Sequence, residues 1–349
     1  MSATTASDME GVQEKLVPLS STLLPLTTRV SYFLQLWALK IGVSISFSLM
    51  RLLKRSLAAY KPTYTKNYPC RPHLQNRVFI PKNRKDVSEL LPLYLDVHGG
   101  GFALCDPQFD DEFCSVLSNR FNLLVVSVNY SKSPTVAFPV PTHDVAAIAQ
   151  AVLEDTSLPI DKSRVAMGGF SAGGNLSLSA VQLPELQGKI KAVVPWYPVT
   201  DWVTKTEQKL KTPPYRNPGD RDGLRWMGKL FKYGYCPAGT NLRDPLLSTS
   251  FAKREDLPEW IFMVAAEYDM LAKEAQKMMY GLAGIEEPSE EEKYAFERKG
   301  YRWRLVRDVE HGFTHNQLEA GKKEEKRVAE RDKVMGEVGE WLFKGPFAM

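Results

Sequence analysis

The pentapeptide Gly169-Phe170-Ser171-Ala172-Gly173 constrains this chain more than any other feature. A short apolar strand, 164–168, precedes it, and a helix over 174–181 follows. A serine between glycines at a strand-to-helix junction predicts a tight turn with the serine in a strained backbone conformation. The flanking glycines let neighbouring chain pass without a Cβ clash. Such a turn exposes the hydroxyl and points the amino end of the helix at developing negative charge. The bland reading, a Gly/Ser-rich connection, does not account for the strand before it and the helix after it.

The rest of the chain supplies the scaffold such a turn needs. Apolar segments at 77–81, 91–97, 122–130, 190–196, 260–266 and 302–306 read as strands. Helices read at 143–154 and at 322–342, the latter with Val328, Val334, Val338 and Leu342 inward. Buried strands with helical crossovers imply a mainly parallel sheet covered on both faces, an α/β fold. The 349 residues suffice for one large α/β domain or two ordinary ones. Residues 204–258 break the rhythm with several prolines, Trp226 and a helix near 222–233. They read as an insertion over the carboxyl edge of the sheet, where active sites of α/β proteins lie. The charged tract 286–297 reads as a solvated loop or helix end.

The second chemical signal is His98-Gly99-Gly100-Gly101-Phe102, directly after strand 91–97. Three glycines leave backbone N–H groups uncovered, able to converge on an oxyanion with the Ala172 N–H as the other half. No G-K-[ST] follows, so a phosphate-cradling loop has little support. A serine hydroxyl needs a base, itself held by an acid. Two histidines follow Ser171, and His311 lies just beyond strand 302–306, where a base belongs. Asp269, after strand 260–266, is the favoured acid; Asp308 and Glu267 are the alternatives. His311 and His315 are four apart, but no H-E-x-x-H or third ligand accompanies them, so a metal site is not expected. His315 reads as a surface or core histidine. His98 reads as a structural hydrogen-bonder, and Trp196, Tyr197 and Trp202 as pocket or core aromatics.

A net charge of +4, with no basic stripe interleaved with aromatics, gives nucleic-acid binding no electrostatic support. Cys70, Cys105, Cys114 and Cys236 form no CxxC pair, which fits a reducing, cytoplasmic setting. Met1 to Glu14 are polar and acidic, unlike a cleaved secretory leader. From 33 to 53 the chain reads as an amphipathic helix. Leu34, Trp37, Ile41, Ile45, Leu49 and Leu52 share one face, and Lys40, Ser44, Ser48, Arg51 and Arg55 the other. The expectation is that the apolar face packs inward. Membrane-surface contact is the next alternative, and Lys40 near the middle argues against a span.

These motifs resemble the hormone-sensitive-lipase branch of the α/β hydrolases, which includes bacterial esterases and arylacetamide deacetylase. The resemblance runs from about 91 to 313 and rests on HGGGF at 98–102, GFSAGGN at 169–175, Asp269-Met270-Leu271 and His311-Gly312-Phe313. It implies an oxyanion hole from Gly100, Gly101 and Ala172, and a helical cap from residues 1–60 and the 204–258 insertion on a catalytic domain over 61–349. Three departures mark a divergent, fungal-type member of specialised metabolism. Phe170 replaces the usual aspartate, Val128-Asn129-Tyr130-Ser131-Lys132-Ser133-Pro134 replaces Asp-Tyr-Arg-Leu-Ala-Pro, and the interval from Asp269 to His311 is long. The implied activity is cleavage of a short-acyl ester of a small, fairly apolar molecule, with Ser171, His311 and Asp269 as triad and no cofactor. Amide or formamide hydrolysis and acyl transfer use the same triad. A ligand-binding protein without turnover and a pericyclase-like template are rivals of other classes.

Overall fold

The computed structural model describes residues 20, 24–53, 60–82, 84, 86, 88–211, 222, 224–315 and 321–348. The acidic start at 1–14 and Arg55 lie outside them, as does the stretch 212–221 of the insertion.

Apolar runs drive the centre of the sheet. Strands β3 (Leu91–Val97), β4 (Leu124–Val128) and β6 (Ala192–Trp196) are buried at every position, as parallel strands covered on both faces must be. They join β1 (Tyr64–Tyr68), β2 (Arg71–Phe79), β5 (Ile160–Phe170), β7 (Trp260–Tyr268), β8 (Ala295–Arg298) and β9 (Tyr301–Glu310) in one nine-stranded sheet. The order is β1-β2-β4-β3-β5-β6-β7-β9-β8. Pairing is parallel from β4 across to β9 and antiparallel at both edges.

Helices α1 (Leu26–Leu53), α2 (Asp111–Phe121), α3 (Val140–Glu154), α4 (Ala172–Ala180), α5 (Leu224–Tyr235), α6 (Ala272–Ala283) and α7 (Lys322–Lys344) complete the regular structure, apart from single turns. The two-residue period of β3 divides the core. Leu93, Leu95 and Val97 pack with α3, α4 and α6, whereas Tyr94 packs with α2 and α7. On α7, Val334, Val338 and Leu342 are buried and Val328 is half-buried. Each fully buried Leu or Val contributes about 1.5–3 kcal/mol relative to exposure. A third apolar cluster joins Leu36 of α1 to Leu224, Leu230 and Phe231 of α5 and to Ala103, Leu104, Met270 and Leu271, beside the carboxyl ends of the strands.

Helix α1 departs from expectation. It begins seven residues before position 33, and its apolar stripe is turned outward: Leu34, Ile41, Ile45, Leu49 and Leu52 are all more than half exposed. The packed side carries Leu36, Phe47 and, unexpectedly, Lys40. Leu36 lies against Gly234 of α5, where a Cβ would come within 2.8 Å of it. Phe47 stacks on Phe109 at 3.8 Å between ring centroids. The Lys40 ammonium donates to the Ser133 carbonyl at 2.6 Å. A close helix contact at a glycine and one strong hydrogen bond outweigh the broader apolar stripe in setting the rotation of α1.

The edges also differ from the reading of the sequence. β1 is largely exposed and polar, so 61–72 looks like a basic linker although it contributes an edge strand. Residues 295–298 of the charged tract form the other edge, β8. Helices α2 and α6 lie in segments without an assigned element.

Candidate active site

Ser171 sits between β5 and α4 with φ 54° and ψ −113°, a left-handed region that non-glycine residues rarely occupy. Its N–H donates to the Trp196 carbonyl at 2.8 Å, and its carbonyl accepts the Asn175 N–H at 3.1 Å, which ties the turn to β6 and to the first turn of α4. A Cβ at position 173 would collide with the carbonyl oxygens of Val97 and His98. Only glycine lets α4 pass so close to the end of β3.

The structure brings His311 and Asp269 to this serine. His311, one residue beyond β9, places Nε2 2.9 Å from Ser171 Oγ. Its Nδ1 is 2.7 Å from Asp269 Oδ2, and Asp269 follows β7 directly. The Leu271 N–H donates to Asp269 Oδ1 at 2.9 Å, fixing the carboxylate. With Asp269 accepting at Nδ1, a neutral imidazole presents Nε2 as acceptor to the serine hydroxyl. Burial alone would lower the His311 pKa. The charge of Asp269, its hydrogen bond and the nearby Asp222 together raise it above the usual value.

Asp222 carries a role that the sequence did not disclose. Buried to 6% exposure, it accepts the Leu224 N–H at 2.7 Å and the Met270 N–H at 2.6 Å. It thereby pins the start of α5 to the segment that carries Asp269. Burial, and then the Asp269 charge, push its own pKa up. An aspartate two residues before a helix is a capping signal, but nothing local reveals the distant partner. The alternative acids are engaged elsewhere. Glu267 accepts the Asp308 N–H at 2.8 Å, and Asp308 accepts the Tyr268 hydroxyl at 3.1 Å.

The glycine loop lies alongside. Gly100 has φ 110° and Gly101 φ 60°, and the Gly100 carbonyl accepts the N–H groups of Ala103 and Leu104. Among the described residues, the N–H groups of Gly100, Gly101 and Ala172 donate to no backbone carbonyl. His98 is fully buried, stacks on Tyr130 at 4.3 Å and keeps Nδ1 2.7 Å from the Gly99 carbonyl. Burial lowers its pKa well below the usual value, so it is neutral. The Tyr130 hydroxyl donates toward the carbonyls of His98 and Gly99, at 3.1 and 3.2 Å. Thus Tyr130, in the segment where the sequence departs from Asp-Tyr-Arg-Leu-Ala-Pro, holds the loop.

Ser171 opens into two lobes. One, of about 100 Å³, is lined by Ala172, Val199, Trp202, Lys209, Met270 and others. The other, of about 230 Å³, holds His311 together with Leu104, Phe109, Phe170, Tyr197 and Met227. Gly101, Leu224 and Phe231 border both, so α5 forms part of both walls. Trp196 is in the core, while Tyr197 meets the His311 ring edge-on at 4.9 Å. His315 does not join His311. It turns to Asp110, with Nε2 3.0 Å from Oδ1.

A protein-family model described as alpha/beta hydrolase fold matches residues 94–299. The chain belongs to that family. This α/β hydrolase is 34% identical over 130 residues to neutral cholesterol ester hydrolase 1 of Bos taurus, a match covering 34% of the chain and 32% of the relative. It is 28% identical over 216 residues to versiconal hemiacetal acetate esterase of Dothistroma septosporum, covering 58% and 64%. The matches thus span about a third of the first relative's length and less than two thirds of the second's. The esterase of Pyrobaculum calidifontis superposes with a TM-score of 0.67 at 22% identity, covering 92% of this chain and 98% of that one, which establishes the shared fold.

Proposed function

We propose that this α/β hydrolase cleaves carboxylic esters through an acyl-enzyme on Ser171. The observation that carries the reading is the chain of contacts from Ser171 Oγ to His311 to Asp269, at 2.9 and 2.7 Å, with Ser171 held at positive φ. His311 takes the hydroxyl proton as Oγ attacks the carbonyl. Asp269 keeps the ring in the reactive tautomer and stabilises the imidazolium. The N–H groups of Gly100, Gly101 and Ala172 hold the oxyanion, each contributing on the order of 3 kcal/mol to the barrier reduction. His311 then returns its proton to the leaving oxygen, and a water activated by the same ring releases the acid.

The lobes take different parts of the ester. The leaving oxygen must meet His311 Nε2, so the alcohol portion occupies the 230 Å³ lobe that His311 lines. The acyl portion takes the 100 Å³ lobe, whose size favours acetyl and other short chains. The fungal relative's name, an acetate esterase, supports a small acyl group. An amide hydrolase or an acyltransferase would pass through the same acyl-enzyme, and the departing group separates them. Labelling by a fluorophosphonate probe, abolished in Ser171→Ala, together with burst release from p-nitrophenyl acetate, tests the reading. Unlabelled native protein would overturn it.

A second reading concerns α1 and α5 as a cap whose outer side meets a membrane surface. The outward stripe from Leu26 to Leu52 supports it, as does Trp226, 74% exposed on α5. Residues 26–50 are long and apolar enough to cross a bilayer. The packing of Leu36, Lys40 and Phe47 against the catalytic body instead favours a helix lying along the interface. Co-sedimentation with phosphatidylcholine vesicles, compared with a variant carrying serines on the stripe, tests this. Equal recovery of both proteins in the supernatant would overturn it.

A further inference from the structure

Helix α5 carries two glycines, and packing accounts for only one of them. At Gly234 a Cβ would come within 2.8 Å of Leu36, so the close contact with α1 requires glycine there. At Gly228 a Cβ would meet only Met270 Cε at 3.7 Å and Thr206 Oγ1 at 3.9 Å among the described residues. Both are ordinary van der Waals distances, and the residue has no positive φ that would favour glycine. A glycine inside a helix destabilises it relative to alanine. The fold alone would be better served by a side chain at 228.

Gly228 lines the smaller lobe beside Ser171, and so do Met270 and Thr206. Leu224, Gly228 and Phe231 recur at helical spacing, so one face of α5 is turned to this lobe and position 228 is its indentation. The missing side chain leaves a notch with room for one carbon in contact with Met270 and Thr206. We propose that Gly228 sets the acyl length of the substrate: the notch receives the distal carbon of a chain longer than acetyl, which extends the accepted class to esters of longer straight-chain acids. The assignment rests on the ester reading above, which puts the acyl portion in this lobe. In a space of about 100 Å³ a single carbon matters. A methylene gained or lost in an apolar pocket changes kcat/KM by roughly 10–200-fold.

The test compares kcat/KM of the wild-type protein, Gly228→Ala and Gly228→Val for p-nitrophenyl acetate, propionate, butyrate and hexanoate. For at least one of the longer esters, the ratio to acetate should fall about tenfold in Gly228→Ala and further in Gly228→Val. Gly228→Ala should also melt no lower than the wild-type protein, because alanine is the better helix former. A lower melting temperature would show that the fold needs the glycine and would overturn the assignment. Ratios that all stay within twofold of wild type in both variants would overturn it too and leave the ester reading standing. A wild-type protein that turns over none of these esters would defeat the ester reading instead. Calorimetry then decides the notch without turnover. It compares Ser171→Ala with the Ser171→Ala, Gly228→Ala double variant, using acetophenone, propiophenone, butyrophenone and hexanophenone as probes. The added methyl should weaken at least one longer ketone about tenfold relative to acetophenone. Equal weakening across the series, or no binding of any ketone, would overturn the assignment.

Discussion

His311 Nε2 stands 2.9 Å from Ser171 Oγ although 140 positions of chain separate them. The contact joins the loop after β9 to the turn after β5, and both lie at the same end of the sheet. Parallel strands deliver their carboxyl ends to one edge, so the fold itself carries out this long-range meeting.

If Ser171 and His311 act as a unit, their losses will not add. Ser171→Ala and His311→Ala should each lower kcat on p-nitrophenyl acetate by about 10⁴-fold or more, and the double variant should fall no further than the worse single one. Steady-state kinetics on the three proteins checks this.

The pH profile should carry the mark of Asp222. His311 must be neutral to act as base, so kcat/KM falls as pH drops through its pKa, which lies above the usual value of 6.5. Asp222 is one cause of that elevation. Asp222→Asn removes a negative charge, so the acid limb should move to lower pH. A limb that stays in place would show that Asp222 acts only through the amides of Leu224 and Met270.

Two glycines separate collision from conformation. Gly188 has φ 72° and open space around it, so Gly188→Ala should cost about 1 kcal/mol. Gly173 abuts the carbonyls of Val97 and His98, and Gly173→Ala should cost more than about 3 kcal/mol. Urea unfolding of both variants measures the difference.

The two sides of α1 should respond to very different degrees. Leu36→Ala empties a fully buried site and should destabilise by about 2–5 kcal/mol. Ile41→Ser, Ile45→Ser and Leu49→Ser fall on the exposed stripe and should each stay within about 0.5 kcal/mol. Thermal unfolding distinguishes them.

The sheet and the three side chains that meet at Ser171 were legible because their signals are local. Buried parallel strands read as apolar runs, and the glycine-flanked serine and the residues after β7 and β9 mark strand ends. What escaped either lacks an apolar mark or depends on partners far away in sequence. The edge strands β1 and β8 are polar on their exposed sides and look like loops. The rotation of α1 is decided by a glycine on α5 and a carbonyl at Ser133, neither visible in the helix's own periodicity. The Asp110–His315 pair joins an aspartate in one loop to a histidine some two hundred positions later, and composition offers no hint of that pairing.

Phe47 lies against Phe109, and Phe109 borders the larger lobe, while the opposite side of the same helix is bare hydrocarbon. Through the Phe47–Phe109 stack, the helix that presents the outer stripe also touches a wall of the larger lobe.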